Sequence, residues 1–139
     1  MKINRFHLAF PVNDLNASKE FYTKILSCKI GRESETWVDF DFYGHQIVAH
    51  LAPEECKLNM RNYVDGDMVS CRHFGVILLW NDWKSLGEKL KEIQINFVIK
   101  PKIRFKNKKG EQGTFFLADP SKNILEFKSF KNKSMIFEK

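Results

Sequence analysis

The sequence predicts an α+β chain in which one βαβββ module is written twice, and three observations carry that reading. Arg5-Phe6-His7-Leu8-Ala9-Phe10-Pro11-Val12 and Cys71-Arg72-His73-Phe74-Gly75-Val76-Ile77-Leu78-Leu79-Trp80 are both apolar runs with one histidine near the start. Each is followed by an Asn-Asp pair, Asn13-Asp14 or Asn81-Asp82, suited to a helix N-terminus, and then by an amphipathic segment rich in Lys and Glu. Three extended pieces close each half. A unit repeated together with its histidine suggests two copies that face one shared site.

Residues 4–12 alternate, with Phe6, Leu8, Phe10 and Val12 on one face and His7, Ala9 and Pro11 on the other, which predicts a strand. From Asp14 the apolar positions Leu15, Phe21, Tyr22, Ile25 and Leu26 return at helical spacing, so one helix is expected over roughly 15–27. Strands follow at 29–33, 36–43 and 45–51, separated by Ser34-Glu35 and by Gly44. Trp37, Asp39 and Asp41 alternate strictly with Val38, Phe40 and Phe42. The first module thus spans 4–51.

Residues 52–70 show no period and predict a linker with an Asp65-Gly66 turn near its end. A connection of that length in a small domain is either a tether or a lid. In the second module, 71–130, Trp83, Leu86, Leu90 and Ile93 lay a stripe on a helix of about 82–94. Strands are expected near 96–105, 113–118 and 123–130. Between the last two, Asp119-Pro120-Ser121-Lys122-Asn123 has tight-turn chemistry, Pro fixing φ and Asn tolerating a left-handed conformation. The tail, 131–139, is loosely held apart from Met135-Ile136-Phe137, which has the apolar character to dock.

With 139 residues, 43% of them hydrophobic, the chain is long enough to bury a core without staples, and it reads as one domain. No apolar run reaches membrane-spanning length and the start leads into no signal-type core, so the expected location is the cytoplasm, with no membrane partner. Cys28, Cys56 and Cys71 form no C-x-x-C pair and are expected as reduced thiols. The net charge of +6 is spread widely, which argues against nucleic acid as a partner. One dense basic stretch remains. In it Lys100, Lys102, Arg104, Lys106 and Lys108 alternate, forming either a solvated face or a cleft wall for an anionic substrate; Arg104, with its guanidinium fork, is the member expected to turn inward.

Four residues hold equivalent places in the two halves: His7 and His73 on the first strands, His50 and Glu126 on the last. Imidazoles with a carboxylate are the ligand set for iron(II), manganese, zinc, nickel or cobalt. Glu126 interrupts the apolar run Ile124-Leu125-Glu126-Phe127, where a carboxylate needs a partner to offset its desolvation. His45 and His50, five apart, face opposite sides of a regular strand; His50 is taken as the ligand and His45 as a turn-adjacent or substrate-contacting residue.

These features resemble the vicinal oxygen chelate superfamily, which includes glyoxalase I, fosfomycin- and bleomycin-resistance proteins, methylmalonyl-CoA epimerase and extradiol dioxygenases. The likeness runs from Phe6 to about Phe130. It rests on Phe6 to Leu15, on Phe21-Tyr22-Thr23-Lys24-Ile25-Leu26, on His73-Phe74-Gly75-Val76, and above all on the stretch from Phe116 to Phe127 with its Asp119-Pro120, Asn123 and Glu126. The resemblance implies paired βαβββ modules whose sheets curl into a half-open cleft around a divalent metal, held by His7, His50, His73 and Glu126. It implies as well a small-molecule substrate and a homodimer. His50 stands where glyoxalase I has a carboxylate, and the chain has no obvious glutathione-binding pattern, so the ligand set is closer to the iron(II) oxygenase members. On that reading His50 adds a fourth bond or carries a proton as the catalytic residue, and Trp37, Arg104, Gln112 and Phe116 line the substrate site. Three activities stay open: a metal-dependent dioxygenase-like enzyme with iron(II) favoured, a lyase, isomerase or resistance-type transferase, and a non-catalytic binding protein of the bleomycin-resistance kind.

Overall fold

The computed structural model describes residues 5–57, the backbone of 61–64, and 66–137. The chain divides into two units, residues 1–60 with 119–123, and residues 61–118 with 124–139. In the first unit β1 (His7–Val12) leads into α1 (Leu15–Glu20), and β2 (Lys29–Glu33), β3 (Trp37–Phe42) and β4 (His45–Leu51) follow. The sheet order is β1-β4-β3-β2, with β1 parallel to β4 and the other pairs antiparallel. The second unit repeats this topology. It has β7 (His73–Ile77), α2 (Trp80–Glu92), β8 (Phe97–Arg104), β9 (Gln112–Ala118) and β10 (Ile124–Phe130), in sheet order β7-β10-β9-β8. The α+β fold of two βαβββ modules is therefore the one observed, each an open mixed sheet. Asn4, where the first strand was expected to begin, lies outside the described residues.

Asp14 caps α1 as expected, its Oδ1 accepting the amides of Asn16 at 2.7 Å and Ala17 at 3.0 Å. The helix does not run on regularly to residue 27. From Phe21 to Ile25 it widens into a π turn, in which the Leu26 amide donates to the Phe21 carbonyl at 3.2 Å. The wider turn lets Phe21, Tyr22 and Leu26 all be buried, Tyr22 stacking on Phe40 with ring centroids 4.8 Å apart. Val38, Phe40 and Phe42 form the core face of β3, and Asp39, on the opposite face, is buried by hydrogen bonds.

The second helix departs from expectation at both ends. Asn81-Asp82 lies inside its first turn, and Leu79 holds the N-cap position without a side-chain cap. The helix starts early because Trp80 packs beside Trp83, 5.6 Å between centroids. Ile93 is 48% exposed, and Gly87 takes the buried place against Pro101 and Phe115. Trp83 crosses Gly113 so closely that a Cβ there would strike its ring.

Residues 119–123 connect β9 to β10 yet pack in the first unit. Asp119 Oδ1 accepts the amides of Ser121 at 2.9 Å and Asn123 at 2.8 Å, and Oδ2 accepts the Tyr22 hydroxyl at 3.2 Å. The left-handed residue is Lys122, φ 67°, and not Asn123. Asn123 spends its side-chain amide elsewhere, donating to the Pro11 carbonyl at 2.8 Å and to Asp119 Oδ2 at 2.9 Å.

The expected linker, 52–70, contains a 3₁₀ turn at Pro53–Lys57 and a hairpin of β5 (Arg61–Val64) and β6 (Asp67–Ser70). Four-residue strands are too short to register as a period. Gly66 has φ 86° at the tip; Asp65 of the expected Asp-Gly turn lies outside the described residues. In the tail Asn132 caps a 3₁₀ turn at Lys133–Ile136, whose Ile136 faces Ile77, Leu79 and Phe130 across a small cavity. Phe137 is 93% exposed, so the docking expected of the tail stops at Ile136.

Candidate functional site

In the second unit the parallel pairing of β10 with β7 sets His73 opposite Ile124 and Gly75 opposite Glu126. With a period of two along each strand, His73 and Glu126 therefore share a face of the sheet, one row apart. Their side chains meet: His73 Nε2 lies 3.3 Å from Glu126 Oε2. The other end of each is fixed. His73 Nδ1 donates to the Ser70 carbonyl at 2.7 Å, and Glu126 Oε1 accepts the Thr114 hydroxyl at 2.7 Å. Phe116 packs edge-on against the imidazole, 5.5 Å between centroids.

The charges follow from this geometry. The hydrogen bond to Glu126, helped by that to Ser70, raises the His73 pKa above its ordinary value against the effect of burial. Burial alone pushes the Glu126 carboxyl up, but the hydrogen bonds from His73 and Thr114 and the charge of Lys128 outweigh it and hold it below the usual range. Lys128 Nζ stands 3.4 Å from Glu126 Oε2.

Gly75 makes the close approach possible, since a Cβ at that position would overlap the Glu126 carbonyl. The same face continues across β9 and β8. Phe116 pairs with Glu126, Thr114 with Lys128 and Lys102, and Gln112 with Arg104. Of the predicted substrate contacts, Phe116 thus projects beside Glu126, whereas Gln112 pairs with Phe130 and Arg104 with Gln112, on the same face but roughly 13 Å further along the strands. Gln112 Oε1 is buried with no hydrogen-bond partner among the described residues.

Arg104 does turn inward, being 6% exposed, and its Nη2 donates to Asp67 Oδ2 at 2.7 Å. Lys102 Nζ reaches the same oxygen at 2.5 Å. The rest of the basic row does not share this face. A register shift between Ile99 and Lys102 drops exposed Lys100 out of the row, and Lys106 and Lys108 lie beyond the strand.

On the first unit, His7 opens β1 opposite Gln46, and His50 is the penultimate residue of β4, opposite Pro11 and Trp37. Gln46, Val48 and His50 share a face, so His7 and His50 lie on the same side but roughly 13 Å apart along the strand. The counterpart of Glu126 by register is Val48, and His50 stands two residues further on. His7 Nδ1 is 2.9 Å from Gln46 Oε1, while Gln46 Nε2 donates to the buried Asp39 Oδ2 at 2.9 Å. That second bond fixes the amide, so a neutral His7 donates from Nδ1 and presents its Nε2 lone pair. A cavity of about 300 Å³ opens beside His7, Gly31, Asp39 and Gln46, and another of about 410 Å³ beside His50, Pro11 and Thr36. Trp37 is half-buried under the Arg32 guanidinium, 5.9 Å from its ring centroid. His45 accepts the Phe6 amide and packs edge-on against the Phe6 ring.

The donors fit a divalent ion in kind. His73 Nε2 and Glu126 Oε2 converge, and each is oriented from behind by a hydrogen bond, as ligating imidazoles and carboxylates are. Among the described residues no group of three or more His, Cys, Asp or Glu side chains stands close enough to hold an ion. Sequence reasoning missed the supporting shell of Ser70, Thr114, Gln46 and Asp39. Asp39 carried a signal, a carboxylate inside an alternating strand; the others become visible only through register.

The model of the glyoxalase-like domain matches residues 6–130. Among solved structures, a glyoxalase/bleomycin resistance protein/dioxygenase from Alicyclobacillus acidocaldarius is 34% identical, with 96% of each chain covered and a TM-score of 0.78. A genomically encoded fosfomycin resistance protein from Listeria monocytogenes is 17% identical over 97% of this chain and 98% of its own, at a TM-score of 0.65. A lactoylglutathione lyase from Agrobacterium tumefaciens is 12% identical over 89% and 91%, at 0.62. The last two are likenesses of fold. A search of curated proteins gave no significant match.

Proposed function

Because the chain belongs to the glyoxalase-like domain family, and with it to the vicinal oxygen chelate superfamily, we propose that it is a divalent-metal-dependent enzyme that acts on a small substrate through vicinal oxygens, with dioxygenase-like chemistry. The observation that carries the proposal is the convergence of His73 Nε2 and Glu126 Oε2 at 3.3 Å, each backed by its own hydrogen bond. His7 and His50 are the further proposed ligands, His50 serving either as a fourth ligand or as the residue that carries a proton. One carboxylate among neutral imidazoles favours iron(II), with manganese, zinc, nickel and cobalt as the other fitting ions.

A bound ion of this kind supplies Lewis acidity that favours the ionised form of an enol or catechol. The chain's own residues do the rest. Ser70 and Gln46 hold the two first-strand imidazoles in the tautomer that offers Nε2. Thr114 keeps Glu126 ionised and aimed. Phe116 closes one side of His73 to water, and the unpartnered Gln112 Oε1 offers an acceptor to a substrate hydroxyl. Trp37, Arg104, Gln112 and Phe116 are the proposed substrate contacts. Action in the cytoplasm and a homodimeric state belong to the same reading; the unpaired Cys28, Cys56 and Cys71 agree with a reducing compartment.

The test is anaerobic reconstitution with iron(II), manganese, zinc, nickel or cobalt, followed by metal analysis and by oxygen uptake on a panel of catechols and enols. One equivalent of metal in the wild type, lost in Glu126→Gln, is the expected result. No metal retained by the wild type sinks the enzyme reading and leaves a small-molecule binder.

A further inference from the structure

Arg104, one of the proposed substrate contacts, stands on the working face of the second sheet in a cluster with Lys102 and Asp67. Arg104 is almost wholly buried, the Lys102 side chain is 38% exposed, and both reach the same oxygen of Asp67. Asp67 does not belong to the sheet. It opens β6, in the hairpin laid against this face, where Val69 packs on Ile99, Phe116 and Ile124. A guanidinium removed from water needs a counter-anion, and here the hairpin supplies it.

The position relative to His73 and Glu126 is set by the ladder. Lys102 pairs with Thr114, which pairs with Lys128, and Thr114 itself holds Glu126. Two strand spacings and one row separate Lys102 from Glu126, roughly 12 Å between α-carbons, and the long basic side chains shorten that span. A planar fork next to a point charge is the arrangement that recognises a carboxylate or phosphoryl group.

We propose that Lys102 and Arg104 form an anion-accepting subsite for the substrate, and that Asp67 fills it in the resting protein as an internal stand-in for the substrate's carboxylate or phosphoryl group. The substrate class narrows accordingly: a small molecule with vicinal oxygens at one end and an anionic group at the other. Binding then exchanges one carboxylate partner for another, and the hairpin that carries Asp67 is released from the basic pair. This rests on the reading that the His73 and Glu126 face is where substrate binds.

The test titrates the full chain, without added metal and at low salt, with inorganic phosphate and with acetate. Side-chain and backbone NMR shifts of Lys102 and Arg104 report the binding. Wild type should bind weakly, because Asp67 competes. Asp67→Asn should bind at least one of the two anions about tenfold more tightly or better, since the competing state is removed. Asp67→Asn/Arg104→Gln should lose that gain. Equal affinity in wild type and Asp67→Asn, or a gain that survives Arg104→Gln, overturns the proposal. Should Asp67→Asn not fold, Lys102→Gln keeps the Arg104 and Asp67 contact and should weaken the wild-type titration severalfold; an unchanged titration overturns the proposal as well. Metal retention in the same variants separates the two readings. Loss of anion binding with metal intact removes only the subsite, and anion binding without metal removes only the enzyme.

Discussion

Gly75 lies opposite Glu126 across the β7 and β10 ladder, with no room for a side chain between its α-carbon and the Glu126 carbonyl. Gly75→Ala should therefore push β10 away and carry Glu126 out of reach of His73. The expected cost is about 1–3 kcal/mol of stability, together with loss of metal binding. A variant with wild-type melting temperature and metal content would show that the contact has no such role.

Thr114 contacts the carboxylate from behind. Thr114→Val keeps the shape and removes the donor, so metal affinity should fall about 10- to 100-fold while the fold is retained. Calorimetric titration with zinc reads this directly; an unchanged affinity would exclude Thr114 as a positioning residue.

The ion pair gives the metal-free protein a signature in pH. His73 has a raised folded pKa, so its contribution is whole below the ordinary value of 6.5 and is lost as pH rises through the folded value. Glu126 has a lowered folded pKa, so its contribution is present above the ordinary 4.5 and is lost as pH falls through the depressed value. The melting-temperature gap between wild type and His73→Gln should be widest between these two pH values and narrow on the alkaline side. A gap that keeps widening as pH rises above the ordinary histidine value of 6.5 would contradict the pairing.

Asp119 and Tyr22 make a separate test, in the first unit. Tyr22→Phe removes one donor from a buried carboxyl and should cost about 1 kcal/mol. Asp119→Ala orphans the amides of Ser121 and Asn123 as well and should cost about 3 kcal/mol. Chemical denaturation checks both values, and the metal content of folded protein should not change.

The thiols should separate by reactivity. Burial first, and then the charge of Asp41, pushes the Cys28 thiol up to about 12, whereas Cys71 is exposed. Iodoacetamide at mildly alkaline pH should label Cys71 promptly and Cys28 about a hundredfold more slowly, through opening of the fold. Equal rates would mean that the fold does not protect Cys28.

The sequence announced the modules because strand and helix periods repeat, and pointed to His73 and Glu126 because each stands among apolar neighbours, on the first and the last strand of the second module. It did not reveal how the strands align. His7 to His50 is 43 residues and His73 to Glu126 is 53, and no count along the chain says that Gln46, and not Val48 or His50, faces His7. The basic row failed for a related reason: alternation assumes an unbroken pleat, and β8 shifts register between Ile99 and Lys102. Asn81-Asp82 failed because packing of Trp80 on Trp83 outweighed a local cap. The hairpin was hidden in strands of four residues.

The loop at 119–123 has a consequence for how this protein is made. A nascent chain that has emerged only as far as residue 60 carries every strand of the first sheet, yet the groups that satisfy the Asn13 amide and the Tyr22 hydroxyl remain untranslated. The front half must wait, incompletely satisfied, until synthesis has passed residue 123. Cutting the gene at the boundary between repeats should therefore yield an N-terminal fragment that is unstable on its own and that recovers when a peptide spanning the missing turn is added.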